Sequence, residues 1–152
     1  MLTLLLAVVL TGCGPTYVFE EEQRLDETTG WAYNTPLAYD FTVADTNTLY
    51  TLHLILEHTT TFNSQNAYVL IRTIFPDGER LEEQVSLQLA DKFGQWFGDC
   101  SQEVCTLDIP IQQNAFFQRT GEYRIEIEQF TRDNPLRGFK AITFAMEETG
   151  KK

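Results

Sequence analysis

Alternation of side chains with a period of two is the feature that most constrains how this chain folds. It is clearest in residues 48–58, where one set is Tyr50, Leu52, Leu54 and Leu56 and the other is Thr51, His53, Ile55 and Glu57. Successive side chains of a β-strand point to opposite faces of the sheet, whereas apolar residues on a surface helix recur every three or four positions. The pattern therefore predicts a strand with one face in the core.

The same alternation returns along the rest of the chain, and no window shows a helical stripe. It predicts strands near residues 67–75, 79–89, 107–111, 122–128 and 139–147. Pro76-Asp77-Gly78 suits a hairpin turn, because proline fixes its own φ and glycine accepts a positive φ. Pro110 cannot donate a ladder hydrogen bond, so its strand is expected at a sheet edge or with the proline facing solvent. We predict an all-β domain: an antiparallel, jelly-roll-like β-sandwich of about eight strands.

The first thirteen residues predict export and lipid attachment. Residues 2–10 form an apolar run of the length typical of a secretory signal, which is too short for a membrane-spanning helix. The run ends in Leu10-Thr11-Gly12-Cys13, and small residues leading into a cysteine are typical of a bacterial lipobox. Cleavage before Cys13 would leave a lipid on its sulfur at the start of the mature protein. The alternative, a buried cysteine in an ordinary strand, is disfavoured by the uncharged start and by Gly14-Pro15.

These patterns divide the chain into three parts. We expect a signal peptide at 1–12, a tether with an irregular first segment at 13–32, and a single β-sandwich domain at 33–152. No Lys or Arg precedes the apolar run, so either the natural start lies upstream of Met1 or the basic end is missing. The 22 acidic and 11 basic residues give a net charge of −11, which disfavours nucleic acid as a partner.

Two further cysteines lie close together, in the segment GDCSQEVC. An even pair in an exported chain favours a disulfide between Cys100 and Cys105, and two free thiols are the next alternative. A metal site is least favoured, because two sulfurs without a nearby His or further Cys cannot complete a tetrahedral zinc shell.

The sequence contains no recognisable catalytic pattern. GxSxG, HExxH and phosphate-binding glycine loops are all missing. His53 and His58 are an odd number of positions apart, so on one strand they face opposite ways and cannot share a metal. Glu126 and Glu128 share a face with Glu122 and Arg124, which indicates a solvated charged stripe rather than a pair of glycosidase carboxylates. We therefore predict no enzyme activity and no metal site.

Several segments in a fixed order resemble the gliding-motility lipoprotein family called GldH. They are the lipobox Cys13, Trp31, the hairpin FPDGERLEEQVSL, the connection FGQWFGD, the run TGEYRIEIEQFTRDN and the segment LRGFKAI. The resemblance implies a non-catalytic lipoprotein of the cell envelope, associated with gliding motility and type IX secretion. It implies no cofactor, and its one transferable residue is the lipidated Cys13. Gly14 is not the aspartate that retains some lipoproteins in the inner membrane, which favours the outer membrane.

Two functions from different classes follow. In the first, Cys13 anchors a structural or assembly protein whose domain contacts other envelope proteins through a sheet edge or through aromatic side chains. Trp96, Phe97 and Trp31 are the candidate contact residues. In the second, the sandwich is a module that binds glycans or small ligands, and Trp31, Trp96 and Tyr123 supply the rings. Packing in the core or a loop is the simpler explanation for each of these rings.

Overall fold

The computed structural model of this chain describes residues 14–152, so Cys13 and the predicted signal peptide lie outside the described residues. Within that range the chain forms antiparallel strands and no helix long and apolar enough to cross a membrane. The strands are β1 (Tyr17–Arg24), β2 (Leu37–Val43), β3 (Thr48–Thr59), β4 (Asn66–Ile74), β5 (Arg80–Gln88), β6 (Asp99–Ser101), β7 (Val104–Ala115), β8 (Gly121–Gln129) and β9 (Phe139–Lys151).

The strands form two sheets that pack face to face. One sheet has the order β1-β9-β3-β7-β6 and the other has the order β2-β8-β4-β5. Without the three-residue β6, this is the strand order of an eight-stranded jelly roll. The predicted all-β, jelly-roll-like sandwich is thus confirmed.

Inward-facing positions of the predicted strands form the core between the sheets. On β3, the residues from Tyr50 to Leu56 in steps of two are all buried, and so are Tyr123, Ile125 and Ile127 on β8. Pro110 is exposed on β7. The short strand β6 pairs only with the start of β7, so at Pro110 the outer edge of β7 has no partner strand within the described residues. A proline is tolerated there because no ladder hydrogen bond is lost.

Residues 14–32 are more ordered than the sequence predicted for the segment 13–32. Residues Tyr17–Arg24 form β1, which pairs with β9 and completes the edge of the larger sheet, so the expected irregular segment begins only after Arg24. The alternation was hard to detect because Phe19 is the one apolar residue of this strand that packs against the core cluster. Backbone pairing with β9, a contact between residues far apart in sequence, makes up for the weak apolar face.

The antiparallel arrangement gives the sandwich two ends with different loops. The tether end comprises the start of β1 and the connections at 44–47, 75–79 and 116–120. The far end comprises the connections at 25–36, 60–65, 89–98 and 130–138. Any function carried by a loop therefore depends on which end that loop belongs to.

His58 is a polar residue fully buried at the far end of β3. Its Nδ1 lies 2.9 Å from the carbonyl oxygen of Thr59, and its Nε2 has no hydrogen-bond partner among the described residues. Aromatic rings of Phe62, Trp96 and Phe139 surround it. Burial lowers the pKa of His58 below its ordinary value, because the cation loses its hydration there.

We expect the free energy of unfolding to fall as the pH is lowered from about 7 towards about 5. The unfolded chain protonates His58 near the ordinary pKa and the folded chain only at lower pH, so unfolding takes up a proton in this window. The slope from one such group is at most about 1.4 kcal/mol per pH unit. Urea unfolding at several pH values measures it. In the variant His58→Phe, the free energy of unfolding should depend less on pH in this window. A variant with the same slope as the wild type would contradict the assignment of this slope to His58.

Candidate functional site

The connection 89–98, here called the aromatic loop, is held rigidly at the far end. The Oδ1 atom of Asp91 accepts hydrogen bonds from the backbone N–H of Phe93 at 2.8 Å and of Gln95 at 2.9 Å. The N–H of Asp91 donates to the carbonyl of Gln95, and that of Phe97 donates to Leu89. Gly94 adopts a φ of 84°, which suits a residue without a side chain. The loop is thus a preformed surface.

The three aromatic side chains of this loop have different surroundings. Trp96 is half-buried against the core, with its ring centre 4.6 Å from that of His58. Phe97 is 58% exposed and Phe93 is 83% exposed. Trp96 therefore fixes the loop to the domain, while the two phenylalanines face outward. Sequence reasoning named Trp96 and Phe97 but missed Phe93, although Asp91 and Gly94 in the pattern DKFG are typical of a tight turn that would expose it.

Trp31 is not available to a partner, which corrects the sequence prediction. Its side chain is 1% exposed, and its Nε1–H donates to the carbonyl of Thr35 at 2.8 Å. Its backbone exchanges two hydrogen bonds with Leu136, which fastens the 25–36 connection to the 130–138 connection. Tyr123, a ring proposed for glycan contact, is likewise buried. Both of these aromatic side chains therefore belong to the core.

A disulfide joins Cys100 of β6 to Cys105 of β7 directly after the aromatic loop, with an S–S distance of 1.95 Å. Cys105 is buried and Cys100 is exposed. The two strands form a tight hairpin whose turn residues Gln102 and Glu103 both have positive φ. At Gly98 an added Cβ would lie 2.5 Å from the carbonyl oxygen of Thr106, so only glycine allows the loop to approach β7 this closely.

A groove of about 460 Å³ lies at the far end, on the outer side of the four-stranded sheet. Tyr68 and Phe130 are exposed neighbours on its floor, since the backbone N–H of Phe130 donates to the carbonyl of Tyr68 at 2.8 Å. One wall is fixed by the buried side chain of Gln129, which accepts from Thr131 and donates to the carbonyl of Asp133. The groove is also lined by two apolar and three polar residues: Phe62, Leu136, Ser64, Asn66 and Arg132.

Glu126, His53 and His58 form ion pairs and packing contacts with neighbouring residues. Arg72 lies within 2.8 Å of Glu126 and 2.9 Å of Glu82, so the outer face of this sheet carries an ion-paired stripe. His53 and His58 face opposite sides of β3, as predicted, and His53 contacts Asp108 at 2.8 Å. Among residues 14–152, no group of three or more His, Cys, Asp or Glu is arranged to hold a metal ion.

We expect loss of the disulfide to have a modest effect on stability. Closing so short a loop restricts the unfolded chain only slightly, so Cys100→Ser should lower the free energy of unfolding by about 2 kcal/mol. Denaturant unfolding with and without reductant measures this. The wild type under reducing conditions should match the variant under oxidising conditions, and a loss of the whole fold on reduction would contradict the prediction.

Comparison with known proteins matches most of the sandwich to one family. Residues 17–146 match the family described as GldH lipoprotein. The chain is also 19% identical over 149 residues to the "Gliding motility lipoprotein GldH homolog" of Christiangramia forsetii, an alignment covering 93% of this chain and 90% of that protein. The family match begins at the first residue of β1 and ends within β9, so it includes all or part of every strand. This chain belongs to the GldH lipoprotein family.

Proposed function

We propose that this protein is a non-catalytic, lipid-anchored component of the envelope machinery for gliding motility and type IX secretion. Cys13 carries the lipid, and the domain acts by holding other envelope proteins. The observation that carries the proposal is the rigid aromatic loop, which presents Phe93 and Phe97 to solvent at the far end. Membership of the GldH lipoprotein family supports the envelope setting.

The energetics of the aromatic loop favour docking of a protein. Fully burying a phenylalanine side chain contributes about 1.5–3 kcal/mol. Because the hydrogen bonds of Asp91 already hold the loop, a partner would not have to order it on binding. Aromatic side chains on a preformed surface are typical of the residues that dominate binding energy at interfaces. Trp96 supports this surface from below.

The polar groups of the domain support a role without catalysis. Glu126 is paired with Arg72, and the largely buried side chain of His53 is held by Asp108. His58 is enclosed by aromatic rings and kept from water. None of the three lies beside a nucleophile in the arrangement that acyl transfer requires.

We place the anchor in the outer membrane. Gly14 follows the lipobox cysteine, where some lipoproteins retained in the inner membrane carry aspartate. Two or three acyl chains hold a domain almost permanently on a membrane, whereas a single chain gives marginal binding. Separation of the two membranes, followed by detection of the protein, tests this placement.

Two sets of variants test the anchor and the loop separately. Cys13→Ser should release the protein from membranes and impair spreading on surfaces and secretion. Phe93→Ser with Phe97→Ser should leave the protein on the membrane, change the free energy of unfolding by less than about 0.5 kcal/mol, and abolish co-purification of envelope partners. Leu81→Ser, an exposed apolar residue of β5, is the matched control and should retain the partners. Unchanged spreading and secretion in both variant strains would refute the proposal.

Oligosaccharide binding is a second candidate function, and the groove at Tyr68 and Phe130 is the observation that favours it. Two neighbouring exposed rings can stack against the C–H faces of sugars, while hydroxyl and amide groups of Ser64 and Asn66 can hydrogen bond to them. The groove lies within the usual size range of small-ligand sites. This site differs from the one the sequence suggested, because Trp31 and Tyr123 are buried.

A glycan array followed by calorimetry tests this second candidate. Tyr68→Ala and Phe130→Ala should each weaken binding of any retained oligosaccharide by about tenfold, since each removes one stacking surface. Phe97→Ser lies on the separate aromatic loop and should bind like the wild type. An array without a retained sugar, or equal affinity in all three variants, would exclude the groove as a glycan site.

A further inference from the structure

The segment between the proposed lipid and the folded domain is very short. Residues 14–16 are exposed and lie outside any strand, and β1 begins at Tyr17. The four residue steps from Cys13 to Tyr17 span at most about 14 Å when fully extended. A lipid on Cys13 would therefore hold the start of β1 within that distance of the acyl chains.

The start of β1 is firmly attached to the domain, so the tether cannot lengthen at little cost. The ring of Tyr17 meets that of His53 edge-on at 5.4 Å, and its hydroxyl donates to Asp108 at 3.1 Å. Phe19 follows in the aromatic cluster between the sheets, 5.6 Å from Phe41. Burial, together with the hydrogen bond to Asp108, raises the pKa of Tyr17 to about 12, so its hydroxyl remains a donor. Releasing β1 would break all of these contacts.

We propose that the tether end of the sandwich is the surface that faces the lipid bilayer, which rests on the proposed lipidation of Cys13. The occupant of this surface is the headgroup layer of the membrane. The surface consists of the start of β1 and the connections 44–47, 75–79 and 116–120. The far end, with the aromatic loop, then points away from the membrane.

The side chains at the tether end suit a headgroup layer. Phe116 is exposed, and the Nζ of Lys152 lies 3.8 Å from the centre of its ring. An aromatic ring beside a lysine is a typical pair at a membrane interface, since the ring enters the apolar boundary while the cation stays among the headgroups. Val18 adds a second exposed apolar residue near the tether.

The charges favour this end over the sides of the domain. At the tether end, Lys151 pairs with Asp45 at 2.9 Å, and Arg119 pairs with Asp77. The backbone N–H of Asn47 helps to hold the pKa of Asp45 low, near 2, so this ion pair persists at ordinary pH. Glu79 is a further exposed carboxylate of this end and is offset by Lys152, whereas the sides expose additional carboxylates such as Glu20 on β1. A domain of net charge −11 that lay on its side would bring these carboxylates to the bilayer, and anionic lipids would repel them.

The orientation fixes the height at which partners bind. The 13 residues of β9 run from the far end to the tether end, which corresponds to about 40 Å at 3.3 Å per residue. The aromatic loop would therefore lie about 40 Å above the headgroups, and its partners must extend that far from the membrane.

Fluorescence quenching from the membrane tests the orientation. The mature chain is coupled through Cys13 to a maleimide lipid in vesicles of phosphatidylethanolamine and phosphatidylglycerol that contain nitroxide-headgroup lipid. A dye is attached at one position per sample, through Phe116→azidophenylalanine or Phe93→azidophenylalanine. We expect the dye at position 116 to lose most of its fluorescence and the dye at position 93 to keep nearly all of it. Equal quenching at both positions, or stronger quenching at position 93, would overturn the proposal.

A longer tether provides the matched control. Inserting a flexible Gly/Ser segment of about 20 residues after Pro15 should restore much of the fluorescence at position 116, because the domain can then leave the surface. Strong quenching that persists with the long tether would show that the tether end binds lipid without needing restraint, which also supports the proposed surface. Circular dichroism of each labelled protein confirms the fold.

A wrong orientation and a missing lipid anchor give different experimental results. The lipid is attached chemically in the vesicle experiment, so the result does not depend on whether the bacterium modifies Cys13. Intact-mass measurement of the protein from its own membranes tests the modification itself. An unmodified natural protein would refute the anchor and leave the vesicle result intact, whereas equal quenching would refute the orientation and leave the anchor intact.

Discussion

Contact between the two sheets around Phe144 is the interaction on which the rest of the structure depends. This residue of β9 is fully buried, and the rings of Phe19, Tyr39 and Phe41 lie 5.7–5.9 Å from it. The hydroxyl of Tyr39 crosses the core and donates to the carbonyl of Ile142 at 2.7 Å. Burial raises the pKa of Tyr39, which keeps it a neutral donor. One cluster thus joins β2 of the four-stranded sheet to β1 and β9 of the five-stranded sheet.

Because the sheets are fixed in this way, the two ends of the sandwich can carry different surfaces. At the far end, Gln129 donates to the carbonyl oxygens of both Trp31 and Asp133, and this links two connections that are about 100 residues apart. The aromatic loop has its own hydrogen bonds and the neighbouring disulfide. Surfaces held like this can bind without first being ordered, which suits a protein that holds others in place.

The sequence by itself determined the fold class and most strands, because alternation is a local property that each strand carries in its own residues. Tyr123, Ile125 and Ile127 show it plainly, and the structure buries all three. In β1 the alternation is weak, which explains why the sequence did not predict this strand. Glu20 and Glu22 give the segment a hydrophilic appearance, although both residues pair with β9 through the backbone. A hydrogen-bonded edge strand needs little apolar surface, and its partner lies far away in sequence.

Only the tertiary structure decided which aromatic residues form the candidate site. Trp31, Trp96 and Phe97 look alike in the sequence, since each is a large ring beside glycine or polar residues. The structure buries the first against Leu136 and Phe139, half-buries the second against His58, and exposes the third. Exposure of a side chain depends on what distant segments bring to it. The sequence therefore determined the β-sandwich and predicted a lipobox at Cys13, whereas packing decided which aromatic side chains the domain exposes.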